Sequence, residues 1–470
     1  MPPYTAHEQA SISCIDHHGD RSRRIAFWSR ALETSVLHPE KAPPATDGAF
    51  SVFDDPVRAF SHQRNIAMDD LDHRNLGVRL KLWHLQDDAP GMVFWHPRGY
   101  AIYRVLEDYL RRKMRQAGYA EVQTPQLLPK EFWSRSGHWD KFREHMFRVD
   151  DGEQAMALKP MSCPCHVQIF NKGLRSWREL PIRYAEFGAC HRNEPSGSLH
   201  GIMRTHAFEQ DDAHVFCREQ DVEDEVARFI ALLGEVYRDL GFPDYEVALA
   251  TRPPVRAGDD ATWDWSEAKL GDAARQCGLA PQINPGEGAF YGPKLEFALR
   301  DRLGRSWQCG TVQLDSVLPQ RLDASYVAAD GSRARPLMIH HAIFGSLGRM
   351  IAILLEHHGG VLPFWLSPDQ VAVAPISKGQ AGYGADVVAA FEDAGIRAIA
   401  YDGADTLSRR IVAAHDMAVP VMAIVGGREM RDGRVSLRER DGSQADVPLA
   451  EAVSRLQARA RSGALGAEAR

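Results

Sequence analysis

Long apolar runs are missing from this sequence: no uninterrupted stretch of about 18 residues suggests a membrane span. The amino terminus has no basic stretch followed by an apolar one, so no secretory leader is expected. Cysteine is sparse and unpatterned. Seven residues, at positions 14, 163, 165, 190, 217, 277 and 309, form an odd set without framework spacing. They read as thiols or metal ligands rather than disulfides, and the cytoplasm is the expected compartment. Zinc-finger spacing is absent, as are a glycine-rich phosphate loop ending in Gly-Lys-Ser or Gly-Lys-Thr and a glycine fingerprint for dinucleotides. Any nucleotide must therefore be held by side chains, and the planar fork of arginine suits phosphate. No internal repeat or low-complexity tract is evident. The net charge of −7 neither supports nor excludes nucleic acid, because a basic face can sit inside an acidic total.

What is present is an ordinary globular composition, 44% hydrophobic and 25% charged, in a 470-residue chain long enough for two to four domains. Residues 1–68 read as an amino-terminal extension of unknown role, with a Pro-rich turn cluster at 42–48. Beyond them, Ile102, Val105, Leu106, Tyr109, Leu110 and Met114 recur at helical spacing and predict an amphipathic helix over 100–117. A short strand is predicted over 120–125 and a second helix over 220–240. Strands follow at 295–299 and 307–314, and an apolar helix at 344–355. After Pro363 and Pro368, strands at 371–376, 398–401 and 419–425 alternate with helices at 382–394 and 407–414. That order predicts a separate α/β domain with a parallel sheet.

The densest chemistry lies in residues 186–214. A Pro-Ser-Gly-Ser turn separates two strand-like segments, which predicts a hairpin. Arg192 and Glu194 close its first strand, and Arg204 and Phe208 lead into the second. Gln210, Asp212 and His214 fall at alternating positions and so share one face. Buried polar groups need partners, so this face makes a poor core and a good pocket wall. Read singly, Arg192, Arg204 and Arg349 are better explained as ordinary salt bridges, and Cys163-Pro-Cys165-His166 divides evenly between buried thiols and a metal site.

Taken together, longer stretches change that balance. Phe187-Gly-Ala-Cys-His-Arg-Asn-Glu194 resembles motif 2 of the class II aminoacyl-tRNA synthetases, Gly345-Ser-Leu-Gly-Arg349 resembles their motif 3, and the helix at 100–117 with its following strand resembles motif 1. The stretches at 72–74, 89–96, 136–139, 159–164, 191–201, 210–214, 288–294, 308–315 and 338–340 narrow the resemblance, which covers about 70–460, to the threonyl-tRNA synthetase family. It implies a catalytic domain over 69–366, α+β with a mainly antiparallel sheet, and an anticodon-binding domain over 367–470. The expected function is threonine–tRNA ligase activity: ATP-dependent activation of L-threonine and its transfer to tRNA(Thr), by a homodimer formed through the motif 1 region.

By the same resemblance, Arg192 would hold the α-phosphate, while Arg349 and Arg204 would clamp the phosphate tail with Mg²⁺. Glu194, Phe208 and Gln308 would receive the adenosine. Cys163, His214 and His340 would bind Zn²⁺, with Gln210, Asp212, Tyr291, Gln313 and Lys294 around the threonine. His138 would lie near the terminal ribose of tRNA, and Glu429 and Arg438 would read anticodon bases. Arg428, Arg431, Arg434, Arg438 and Arg440 are expected to form a basic strand pair suited to phosphate contacts. Only about 70 residues precede the catalytic region and none match an editing domain, so a form without its own editing site is expected.

Departures from the family pattern also stand out. Ser162 and Cys165 replace the usual Asn and Gly, Thr205-His206-Ala-Phe-Glu209 differs before and after the Phe, and His341 and Gly348 differ near motif 3. The helix at 408–418 carries fewer basic residues than usual. These features suggest a specialised second copy, inhibitor-tolerant or not. They leave open a threonine-activating paralogue with a non-tRNA acceptor and a silent tRNA-binding regulator.

Overall fold

A computed structural model describes residues 68–461 apart from 151, 153 and 303. The expectations for residues 1–68 lie almost wholly outside the described residues. Among those described, no helix is long and apolar enough to cross a membrane.

An eight-stranded sheet carries the first domain. Its strands are β1 Ala120–Glu121, β2 Ile182–His191, β3 Ala207–Cys217, β4 Glu246–Ala250, β5 Gln282–Asn284, β6 Lys294–Arg300, β7 Ser306–Asp315 and β8 Leu337–Ala342. They lie in the order β5-β4-β6-β7-β8-β3-β2-β1. Only the outermost pairs, β4/β5 and β1/β2, run parallel. The hairpin expected from 186–214 is β2/β3, in unbroken register from Ile182 opposite Phe216 to His191 opposite Ala207.

Side-chain alternation divides the work of this sheet between its faces. Ala213, Val215 and Cys217 of β3 join the main apolar core, together with the helices Pro97–Gln116, Val222–Asp239 and Leu347–His357. The helix Pro97–Gln116 turns Ile102, Leu106, Tyr109, Leu110 and Met114 inward. Each large aliphatic side chain removed from water in this way contributes about 2 kcal/mol. Gln210, Asp212 and His214 occupy the opposite face. The segment ending at Ser162, ahead of the helix Cys163–Phe170, lies against that face at Gly188, where a Cβ would stand 2.7 Å from Ser162 Oγ.

The second domain has strands β9 Val371–Pro375, β10 Ala398–Ala400, β11 Val421–Val425, β12 Arg434–Glu439 and β13 Gln444–Pro448. The expected parallel trio is β10-β9-β11. Beyond it, β12 and β13 add antiparallel strands, because the connections through residues 426–433 and 440–443 are too short for a crossover.

Candidate active site

Four side chains line up across adjacent strands on the polar face. Lys294 pairs with Gln313, Gln313 with His340, and His340 with His214, so one row crosses β6, β7, β8 and β3. Directly opposed residues of antiparallel strands share a face. A bulge opposite Phe297 and Ala298 breaks the alternation along β7. Gln308 therefore joins Thr311 and Gln313 in lining one cavity of about 430 Å³ despite its opposite parity.

At one end of that cavity lie Cys163, His214 and His340, whose ligand atoms are all within 4.8 Å of one another; the three residues are 4%, 0% and 5% exposed. Hydrogen bonds fix both imidazole tautomers. Lys159, itself 1% exposed, donates to Glu186 at 2.8 Å and to the Thr124 hydroxyl at 2.9 Å. Glu186 also accepts from the Thr124 amide at 2.8 Å and from His166 Nε2–H at 3.2 Å. Burial alone would raise the Glu186 carboxyl, but the bonds from His166 and Lys159 prevail and hold it at about 2. With Nε2 donating, His166 presents the Nδ1 lone pair and accepts from His214 Nδ1–H at 2.8 Å. His214 is left with a lone pair on Nε2. On the other side, His340 Nε2–H donates to Asp315 at 2.9 Å, which leaves a lone pair on its Nδ1.

Those two lone pairs face each other across 3.1 Å. Neither nitrogen has a proton to give, so the approach is repulsive unless a cation lies between them. Burial, reinforced by the His166 and His340 rings, keeps the His214 imidazole far below its usual range and thus neutral. Burial and the Asp212 and Asp315 carboxylates push the Cys163 thiol well up, a barrier that a divalent cation reverses. Two nitrogens, each oriented by a second residue, and one sulfur fit a borderline-soft divalent ion with a position to spare. A second acid–histidine cluster, Asp72, His73 and His200, does not fit one. Arg74 holds Asp72, while His73 donates to Glu356 at 2.7 Å and accepts the Ile202 amide at 3.3 Å.

The space beside the trio is polar and incompletely bonded. Asp212 accepts from the Ser162 amide at 3.1 Å; burial raises its carboxyl, with the His166 and His340 rings opposing the rise. Tyr291 donates to Gln313 at 3.0 Å, and Lys294 pairs with Glu296 at 2.6 Å. Gln210 Oε1 and Thr311 Oγ1 are buried at the cavity wall without a partner. Such groups are costly to leave unmade and call for a polar occupant.

Three arginines converge at the other end. Arg192 donates to the Pro160 carbonyl at 3.1 Å and lies 5.1 Å from the Phe208 ring. Arg204 faces Glu194 at 3.4 Å. Gly345, at φ +73°, makes a turn open to glycine, and Ser346 then caps the helix Leu347–His357 by accepting the Arg349 amide. That cap directs the Arg349 side chain to the carbonyls of Gln308 at 2.6 Å and Met203 at 3.1 Å. Burial lowers the Arg349 guanidinium from its ordinary value, and the charges of Arg192 and Arg204 add to the effect. Three cations with one carboxylate among them form an anion site.

All but two of the catalytic, nucleotide, amino-acid and metal residues expected from sequence line this cavity. His214 stands directly behind, and His138 sits beyond Met161, its Nε2 2.9 Å from the Met161 sulfur and its Nδ1 bonded to Ser136. Burial drives His138 down to about 3, so it is neutral. Two departures direct their side chains to partners that do not line the cavity: His341, which borders it, bonds Tyr119 at 2.7 Å, and Glu209 accepts from Tyr103 at 3.0 Å. Sequence reasoning missed the outer residues His166, Glu186, Lys159 and Asp315. Lys159 and Asp315 lie inside the stretches that carried the resemblance, and Glu186 and His166 lie one and two residues outside them, which was the available signal.

In the second domain the expected basic strand pair needs correction. The Glu429 carboxylate accepts the Gly426 amide at 2.9 Å and so caps residues 427–432, which form a helix closed by Gly433 at φ +63°. Arg428 and Arg431 therefore belong to that helix. Asp446 neutralises Arg428 and Arg434, while Arg440 donates to the His415 and Val419 carbonyls. Glu429 accepts from the Gly426 amide and from Arg428, and Arg438, on β12, reaches the Gly442 carbonyl at 3.4 Å.

Comparison with known proteins gives a consistent picture. Residues 144–358 match the class II tRNA synthetase core domain (G, H, P, S and T), and residues 370–459 match an anticodon binding domain. The chain is 53% identical over 406 residues to a threonine–tRNA ligase of Granulibacter bethesdensis, covering 85% of this chain and 62% of the relative. It is 52% identical over 390 residues to that of Rhodospirillum rubrum, covering 82% and 60%. The chain thus spans about three fifths of the length of these relatives. Among solved structures, the RNA binding domain of threonyl-tRNA synthetase from Cryptosporidium parvum superposes with a TM-score of 0.78 at 38% identity, covering 83% of this chain and 98% of that one. A putative threonyl-tRNA synthetase from Aeropyrum pernix gives 0.73 at 26% identity, covering 84% and 97%.

Proposed function

Since the chain belongs to the threonyl-tRNA synthetase family of class II synthetases, we propose that it joins L-threonine to ATP and passes the threonyl group to the 3′ end of tRNA(Thr). The observation that carries this reading is a single cavity with a cation-demanding N,N,S trio at one end and three converging arginines at the other. An amino acid and a triphosphate are the two chemistries those ends suit.

Arg192 takes the α-phosphate and balances the charge that grows there as the threonine carboxylate attacks. Arg349 and Arg204 hold the departing pyrophosphate, with Mg²⁺ on the phosphates. Acceleration comes from alignment and charge compensation, and no covalent enzyme intermediate is needed. Glu194 and Gln308 contact the nucleotide, and Phe208 stacks on the adenine. Asp212 pairs with the substrate ammonium, and the unpartnered Gln210 carbonyl receives a polar hydrogen, beside Tyr291, Gln313 and Lys294. Cys163, His214 and His340 would hold zinc. Zinc held there would supply Lewis acidity towards an amino acid's amino and hydroxyl groups, which would favour threonine over valine, since valine lacks the hydroxyl. His138, neutral behind the flexible Met161 side chain, takes the ribose proton in transfer once Met161 moves.

Glu429 and Arg438 read anticodon bases. Exposed Phe94 and Tyr100, at 39% and 50%, lie just before and on the helix Pro97–Gln116 of motif 1 and support a homodimer there. The test is ATP–pyrophosphate exchange followed by tRNA charging with threonine, valine and serine. Threonine is expected to drive exchange and charging, and valine to drive neither. Failure of threonine-dependent exchange overturns the reading. The neutralised arginines of the second domain favour one competitor, transfer to an acceptor other than tRNA; exchange without charging would select it.

A further inference from the structure

We propose that His206 is a positioning residue whose protonation locks the nucleotide-holding turn, making ATP affinity rise as pH falls. The inference rests on the nucleotide reading above.

His206 lies just before β3, half-buried, and is held through both its backbone and its ring. Its backbone amide donates to the Gly91 carbonyl at 2.9 Å, and its own carbonyl accepts the Arg192 amide at 2.8 Å. Its ring meets two more carbonyls: Nδ1 lies 3.0 Å from that of Pro90, and Nε2 lies 2.9 Å from that of Glu194. The Phe147 ring stands edge-on to it with centroids 5.5 Å apart. Gly91, at φ +72°, leaves the ring its space, because a Cβ there would come within 2.8 Å of it.

The two ring contacts set a proton requirement. A carbonyl oxygen only accepts, so each ring nitrogen must carry a hydrogen. Neutral imidazole has one N–H and satisfies one carbonyl; imidazolium has two and satisfies both. Protonation therefore decides whether the Arg192–Glu194 turn is tied to the Pro90–Gly91 segment through the ring. The side chains of Arg192 and Glu194 line the nucleotide end of the cavity, so the tie bears directly on how well they are held. The ionisable groups on the elements packed around it are Arg192 and Glu194 on the turn, Arg204 paired with Glu194 at 3.4 Å, and His145, whose carbonyl accepts the Asn193 amide. Pro90 and Gly91 contribute none. Of these groups only His206 places its ring nitrogens on the Pro90 and Glu194 carbonyls, which makes it the proton-sensitive tie.

The experiment compares wild type with His206→Gln and His206→Arg by calorimetric ATP binding from about pH 6 to about pH 8, spanning ordinary imidazole titration. Loss of one charge-assisted hydrogen bond, partly transmitted to the ligand, predicts about a fivefold weakening of ATP binding across that range in wild type. The glutamine side chain cannot reach both carbonyls, and His206→Gln should bind weakly with a flat profile. The guanidinium of His206→Arg keeps its charge throughout, so that variant should also be flat. By linkage, wild type should take up a fraction of a proton on binding ATP, about 0.3 more than His206→Gln, read from heats in buffers of different ionisation enthalpy. Equal pH profiles in wild type and both variants, or equal proton uptake, would overturn the proposal while leaving ATP binding intact. Absence of ATP binding at every pH would instead overturn the nucleotide reading, and this inference with it. If His206→Gln fails to fold, His206→Arg and the wild-type proton count decide alone.

Discussion

Replacing His166 by leucine tests whether the chain of tautomers prepares the metal trio. In wild type, His166 accepts from His214 Nδ1–H at 2.8 Å and donates to Glu186 at 3.2 Å. Leucine does neither. Glu186 keeps Lys159 and Thr124, so the main loss falls on His214, whose buried N–H is left without a partner. An unmet buried donor costs about 1–3 kcal/mol, and the ring escapes that cost by turning or by taking the tautomer that places a hydrogen on the coordinating nitrogen. Either escape must be undone for a metal to bind. At 1.4 kcal/mol per tenfold, zinc affinity should fall about 10- to 100-fold. His166→Gln is the internal control: its amide oxygen accepts, its nitrogen donates, and the two are spaced much as the ring nitrogens are. It should keep affinity within about threefold. The assay is competition for zinc against a chromophoric chelator, with metal content checked by elemental analysis. Equal affinity in wild type and His166→Leu would refute the tautomer argument, as would an equal loss in the Gln and Leu variants.

Lys159→Met should destabilise the fold by about 3–5 kcal/mol in urea unfolding, because it strands the buried Glu186 carboxylate. The folded carboxyl of Glu186, held at about 2, lies below its usual value, so its contribution is complete above about pH 4.5 and disappears as pH falls towards 2; the Lys159→Met penalty should shrink over that window in acid unfolding curves. Glu209 has the opposite sign. Burial first, and then Glu107, push its carboxyl up to about 6, so its ionisation costs stability progressively from about pH 4.5 and in full above about pH 6. Glu209→Gln should add about 1 kcal/mol near pH 8, after discounting for partial exposure, and nothing near pH 4, measured by thermal unfolding. Arg349→Gln should lower threonine-dependent pyrophosphate exchange at least about 100-fold, whereas His138→Ala should leave exchange within about twofold and slow transfer to tRNA in single turnover.

How much of the site is legible in the sequence depends on the range over which each residue acts. The alternation of Gln210, Asp212 and His214 follows from strand geometry within five residues, and the folded hairpin has it. The helices at Pro97–Gln116 and Leu347–His357 are likewise visible, because an amphipathic stripe repeats locally. The partners of the metal trio are not marked by any spacing. Asp315 lies 25 residues from His340, and Glu186 lies 20 from His166; only the folded sheet brings them together. The bulge that turns Gln308 into the cavity has no signature in the Trp-Gln-Cys-Gly run beyond a glycine. The helix at 427–432 reads as strand in the sequence because its arginines dominate the pattern, while the Gly426–Glu429 cap determines the backbone.

The row Lys294, Gln313, His340 and His214 has a consequence for quality control. Each member sits on a different strand, so the site exists only when four strands share one register. Slipping any of them by a single residue turns its member to the far side and dismantles the trio or its neighbour. Zinc stoichiometry in a fresh preparation thereby counts correctly registered molecules, and a chelator-resistant fraction measures folding yield without any assay of catalysis.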